Sequence, residues 1–145
     1  MQAYEHRQWA PLSLLPVLAI AAALVYAGVG AQEGPVYVFA LVVLVIGIGF
    51  ARLTTRVDRN GIAWSFTLGA PAGHLAFADL DRAEITRTNF LEGFGIHWTI
   101  WHGWLWNVWG FRAVQLVRRD GRRVTIGTDD PQGLLAAIER LRDHQ

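Results

Sequence analysis

Two charge-free apolar runs, Leu12 to Gly30 and Val36 to Ala51, take up most of the first third of this 145-residue chain. As α-helices at about 1.5 Å per residue they reach roughly 28 and 24 Å, against a bilayer hydrocarbon core of about 30 Å. Only Ala31-Gln32-Glu33-Gly34 separates them, and Pro35 stands where a first helical residue belongs. The pattern predicts an antiparallel transmembrane hairpin with helices over about 11–30 and 35–51. Its tip carries Glu33 and no basic residue, whereas Arg7 precedes it and Arg52, Arg56 and Arg59 follow. The positive-inside rule then places both termini in the cytoplasm and the chain in the cytoplasmic (inner) membrane as a multi-pass protein.

Within the hairpin, Ala19, Ala23 and Ala27 repeat every four residues and form a small-residue stripe that a second helix could approach, with Gly47 as a candidate facing residue. Trp9, Tyr26 and Tyr37 fall near the expected interfaces, and Arg52 is expected to snorkel towards lipid phosphates. A cleaved signal peptide is the competing reading of the first run, on Val29-Gly30-Ala31; the second run would then anchor the chain.

Beyond Arg52 the period becomes two. Leu53, Thr55 and Val57 alternate with Thr54, Arg56 and Asp58, and Asn60-Gly61 is a strong hairpin signal before Ile62, Trp64 and Phe66. A two-residue turn at Asn60-Gly61 would pair Val57 with Trp64 and Thr55 with Phe66. For the hairpin at Arg119-Asp120-Gly121, a three-residue loop pairs Leu116 with Val124 and Val114 with Ile126, which keeps apolar residues together. His74–Ala78, Arg82–Arg87, Gly95–Ile100 and Trp104–Trp109 read as further strands, seven or eight in all. Asp130 caps a last helix that opens at Pro131 and repeats Leu134, Leu135, Ile138 and Leu141 at helical spacing. The expected division is residues 1–52 as helical hairpin and 53–145 as β domain, with its terminal helix over 130–142.

Gly93-Phe94-Gly95-Ile96, Gly103-Trp104-Leu105-Trp106-Asn107-Val108, Ala113-Val114 with Asp120-Gly121-Arg122-Arg123, and Ile126-Gly127-Thr128-Asp129-Asp130-Pro131 resemble the bacterial pleckstrin-homology-like (PH-like) membrane proteins. The resemblance implies an α+β membrane protein: a transmembrane hairpin, then a PH-like antiparallel β-barrel or sandwich closed by an amphipathic helix. Two positions depart from the pattern, His97 where arginine is expected and Trp109 where a small residue is usual. The family implies a non-enzymatic binding or recruitment role at the membrane surface. The alternative is an accessory subunit of a larger membrane complex, held through the helices.

The candidate contact surface follows from the tryptophans, five of which lie between Phe94 and Phe111. Trp101, Trp104, Trp106 and Trp109 are candidates for membrane or partner contact, because indole suits a boundary between dry and wet surroundings. Arg118, Arg119, Arg122 and Arg123 crowd one hairpin tip and could add contact with anionic lipid or an acidic partner. Strand alternation puts tryptophans on both sheet faces and leaves open which pair, Trp101 and Trp109 or Trp104 and Trp106, points outwards.

Other chemistry finds little footing. There is no cysteine, and every one of the 13 basic residues is arginine, so thiolate and Schiff-base lysine chemistry are excluded. His97 and His102 lack obvious co-ligands beyond Glu92, and Asp129-Asp130 before Pro131 reads as a helix cap rather than a magnesium pair. Ser13 and Ser65 sit in no nucleophile-elbow motif. A formal charge of +1 makes no case for nucleic acid. The expected partners are therefore membrane lipids, an unidentified protein, or further copies of the chain, with no cofactor, no metal and no catalytic residues.

Overall fold

The computed structural model of the chain describes residues 3–31, 34–89, 92 and 95–143, and for 11–13 and 31 the backbone alone. Gln32 and Glu33 of the expected hairpin link, and Gly93-Phe94, fall outside the described residues.

Strand β1 (Tyr4–Trp9) comes first, ahead of helices α1 (Pro11–Ala31) and α2 (Gly34–Gly49). It pairs antiparallel with β2 (Arg52–Asp58), Tyr4 opposite Val57 and Trp9 opposite Arg52. The helices are therefore an excursion between two paired strands, and Ala10 N–H donates to Ala51 O at 2.9 Å across their root. β1 had no clear sequence signal, because its apolar residues do not alternate.

The two helices pack along one seam. On α1 the less exposed positions are Leu14, Val17, Ala21, Leu24 and Gly28; on α2 they include Val36, Ala40, Val43 and Gly47. Three- and four-residue spacings keep these positions on facing stripes. Gly47 lies on the seam: a Cβ there would stand 2.4 Å from Val17 Cγ1. Ala19, Ala23 and Ala27 instead lie on exposed faces of α1. Leu15, Leu18, Tyr26, Val29, Phe39 and Leu41 are each more than half exposed on the hairpin.

The expected transmembrane hairpin is corrected here. Among the described residues no helix is both long and apolar enough to cross a membrane. α2 has only 16 residues, about 24 Å of helix against a core of about 30 Å. The described side chains of α1 run from Leu14 to Gly30, about 26 Å by the same measure. The readings built on membrane spanning fall with it: the integral membrane protein, its inner-membrane placement with cytoplasmic termini, and the subunit held by transmembrane helices. Arg52 does not snorkel; its guanidinium stacks over Trp9 at 5.0 Å and donates to Thr67 O at 3.1 Å.

After β2 come β3 (Gly61–Phe66), β4 (Ala72–Leu75), a 3₁₀ turn (Phe77–Asp79) and β5 (Leu80–Arg87). Then follow β6 (Gly95–Thr99), β7 (Gly103–Asn107), β8 (Arg112–Arg118), β9 (Arg123–Gly127) and α3 (Pro131–Arg142). The nine strands form a four-stranded sheet in the order β1-β2-β3-β4 and a five-stranded sheet in the order β5-β8-β9-β7-β6. Among the described residues eight of them, β2 to β9, follow the helices, within the seven or eight expected from Arg52 onward, and β1 is the strand that was not expected. The five-stranded sheet includes one parallel pair, β7 with β9, where every pairing was expected to be antiparallel.

The two hairpins with turn signals differ in outcome. At the first, the loop is Arg59-Asn60 and Gly61 already belongs to β3, so Val57 pairs with Ile62 and Leu53 with Phe66. Asp58 Oδ1 holds the turn by accepting Asn60 N–H at 2.7 Å. Gly61 is needed where β4 ends, since a Cβ there would stand 2.3 Å from Leu75 O, and its φ is +136°. The register is two residues from the expected one, so every side chain keeps its face. The second hairpin has the expected three-residue loop, Gly121 at φ +83° and Leu116 opposite Val124.

Leu53, Val57, Ile62 and Phe66 of the first sheet meet Val114, Leu116 and Ile126 of the second, and α3 covers them with Leu134, Ile138 and Leu141. Asp130 caps α3 by accepting Gly133 N–H at 3.0 Å. The same carboxylate accepts the Tyr4 hydroxyl at 3.1 Å, tying β1 to the helix.

Candidate functional site

The β6–β7 hairpin carries the site. Its register sets Trp98 opposite Trp104 and Ile96 opposite Trp106, and residues 100–102 form the turn. Gly103 ends that turn at φ +67°; a Cβ there would stand 2.1 Å from Arg123 O. Glycine is required both for the left-handed backbone and for the closeness of β9.

At the tip, Trp98 is 62% exposed, Ile100 75%, Trp101 72% and Trp104 52%. Beside them Arg123 Nη1 donates to Trp101 O at 3.1 Å. Trp98, Trp104, Arg122 and Arg123 share an open cleft of about 500 Å³. Its chemistry is that of a contact surface: π faces, apolar edges and two guanidinium groups.

The other expected contact residues do not join this patch. Trp106 is turned inwards, stacked on Phe66 at 6.0 Å and edge-to-face with Trp64 at 5.8 Å. Trp109 stands beyond the other end of β7, where its carbonyl accepts Gln8 Nε2 at 2.7 Å and its N–H donates to Asn107 Oδ1 at 3.2 Å. Arg119 N–H donates to Asp79 O at 2.9 Å. Arg118 stands 3.8 Å from both Asp79 and Asp120 and lines a separate cleft between the sheets. The question of faces thus has a mixed answer: Trp101, Trp104 and Trp109 are exposed and Trp106 is not. Trp98 and Ile100 were absent from the expected contact set. Their position flanking a turn that ends in His102-Gly103 was the signal that could have placed them at a tip.

The far face of the five-stranded sheet is covered as well. Thr125 Oγ1 donates to His102 O at 2.9 Å, and Gln115 Nε2 reaches Thr125 Oγ1 at 3.3 Å, so the turn folds back over β8 and β9. Leu105 and Asn107 on that face of β7 are fully buried, Asn107 at the end away from the turn, where its Nδ2 donates to Gly110 O at 3.0 Å.

His102 Nδ1 lies 2.5 Å from Glu92 Oε1, and its Nε2 lies 3.4 Å from Thr86 Oγ1. Carboxylate, imidazole and hydroxyl stand in the order of a nucleophilic relay. The side chains of Glu92 and His102 are only 8% and 12% exposed, and the hydroxyl contact is long for a working proton transfer. The cluster serves to pin the turn and Glu92 to the sheet. His97 is not part of it, and among the described residues no group of three or more metal-ligating side chains occurs.

Two ionisable groups on β1 are perturbed. Hydrogen bonds from Arg56 and Arg7, each 2.7 Å, hold the Glu5 carboxyl below the usual carboxylate range. Burial, and then the hydrogen bond to Asp130, pushes the Tyr4 phenol well above the usual range. Both effects stabilise β1 in place and neither points into a cleft.

No protein-family model and no curated protein sequence matches this chain.

Proposed function

We propose that this chain is a non-enzymatic binding protein whose β domain, PH-like in plan, docks a protein partner through the tip of the β6–β7 hairpin. The observation that carries the reading is the exposure of Trp98, Ile100, Trp101 and Trp104 together beside Arg122 and Arg123. Tryptophan and arginine are the residue types that dominate binding energy at protein interfaces. Four large apolar side chains left in water at one turn cost free energy that a partner surface would recover. No carboxylate or imidazole lines this cleft among the described residues, so it offers no general base beside its hydroxyl, Thr99. The PH-like plan is supported by the four-stranded meander facing a second sheet, with a C-terminal helix packed on both; the parallel β7–β9 pair is a departure from it.

A photo-crosslinking amino acid at position 100 of the full-length chain, activated in cells, tests the reading. The expected result is a discrete protein adduct that is lost when Trp101→Ser and Arg123→Glu are combined. An adduct with lipid, or no discrete adduct, would overturn it.

A further inference from the structure

A second cleft, of about 290 Å³, opens between the two sheets, where β4 faces β6 and β7. Its walls are mostly apolar, with Ile96, Trp104 and Trp106 on one side and Leu75 on the other, and His74 and Arg118 are its polar lining. Trp64 lies at its floor, 5% exposed, with its indole ring against Gly73. A Cβ on Gly73 would stand 2.4 Å from the ring carbons and 2.5 Å from Nε1. Glycine at 73 is thus what allows the N–H edge of Trp64 to lie at the β4 margin of the cleft.

That N–H has no hydrogen-bond partner among the described residues. Its nearest ring, Trp106, meets it edge to face and carries a donor but no acceptor. A buried donor without an acceptor costs on the order of 1–3 kcal/mol and calls for an explanation. Arg118 lines the same cleft, and its Nε is also buried without a hydrogen bond. Asp79 and Asp120 stand 3.8 Å from its guanidinium, beyond hydrogen-bond reach, so donors remain unspent.

From these observations we infer that the inter-sheet cleft binds a small amphipathic carboxylate, its apolar body between Leu75 and Trp106 and its oxygens towards Trp64 Nε1–H and Arg118. The size is at the low end for ligand pockets, which suits one unbranched chain or one ring system. Trp64 Nε1–H and Arg118 Nε are donors without hydrogen bonds, and no carboxylate lines the cleft itself. Asp79 and Asp120 stand behind Arg118 rather than in its walls, which favours an anionic head over a cationic one. The inference does not depend on the partner-docking role of the hairpin tip.

The test is a titration of the full-length chain with decanoate, with decanol as the uncharged control, followed by the indole N–H signals in proton–nitrogen correlation spectra. Trp64→Phe identifies the Trp64 signal. The expected result is a saturable downfield shift of that signal, with decanoate affinity reduced about tenfold by Arg118→Gln and decanol affinity unchanged. Gly73→Val should exclude both probes; if that variant does not fold, the Arg118→Gln comparison carries the test. An unmoved Trp64 signal at saturating decanoate, or shifts that never saturate, would overturn the inference. Equal loss of decanoate and decanol in Arg118→Gln would do so too.

Discussion

Glu92 and His102 form a nearly buried hydrogen-bonded pair, carboxylate Oε1 to imidazole Nδ1 at 2.5 Å, that joins the segment after β5 to the β6–β7 turn. Glu92 also accepts Asn89 N–H through its second oxygen at 2.8 Å, so one carboxylate organises two backbone segments. Removing one partner leaves the other's buried hydrogen-bonding group unsatisfied, at about 1–3 kcal/mol. Glu92→Ala should therefore destabilise the chain by roughly that amount in chemical denaturation. Glu92→Gln, which can still accept from the imidazole, should cost about half as much or less. Equal and small effects from both variants would mean that the pair contributes little.

The helix seam makes a contrasting pair of substitutions. Gly47→Leu drives a side chain into Val17 and should cost about 1–3 kcal/mol, as overpacking does. Ala23→Leu, on an exposed face of the same hairpin, should change stability by no more than about 0.5 kcal/mol. Thermal denaturation of the two variants side by side reads the difference. If Ala23→Leu were the more damaging, the seam would be misplaced.

The β6–β7 turn depends on a single glycine. Gly103→Ala places a Cβ against Arg123 O and forces a left-handed backbone on an alanine. The expected cost exceeds about 2 kcal/mol, because a non-glycine residue there adds about 1 kcal/mol before any clash. The Trp98 and Trp104 side-chain signals should shift in the same variant. Unchanged stability would show that the turn can open without penalty.

The pH dependence has opposite signs at the two perturbed groups of β1. Glu5 has a lowered folded pKa, so its contribution is present above its ordinary value of 4.5 and is lost as pH falls through the folded value. Tyr4 has a raised one, so its contribution is present below its ordinary value of 10.0 and is lost as pH rises beyond it. Glu5→Gln should flatten the acid limb of the melting temperature against pH, and Tyr4→Phe the alkaline limb above about pH 10. An alkaline limb of the same slope in Tyr4→Phe would remove Tyr4 as its cause.

Local chemistry was legible in the sequence wherever a residue acts on its immediate neighbours. Asp130-Pro131 marked the start of α3, Asp120-Gly121 set a three-residue loop and its register, and the short link between two apolar runs made an antiparallel helix pair. The first hairpin shows the limit. Asn60-Gly61 announced a turn, but whether Gly61 sat in the loop or in β3 depended on Leu75 O, which comes from a strand fourteen residues on.

What only the tertiary structure decided is which surfaces are covered. Alternation along β6 and β7 assigns side chains to two faces but cannot say that the turn folds back over β8 and β9, or that Leu105 and Asn107 are buried. It cannot place Trp106 against Trp64 and Phe66 while leaving Trp98 and Trp104 in solvent. Nor could the composition of Leu12–Gly30 and Val36–Ala51 establish a membrane crossing, since hydropathy reports what a segment would leave water for and not how much helix is formed. Strand β1, the parallel β7–β9 pair and the inter-sheet cleft arise from pairings distant in sequence. Those pairings are set by the burial of the whole core, and no single segment carries them.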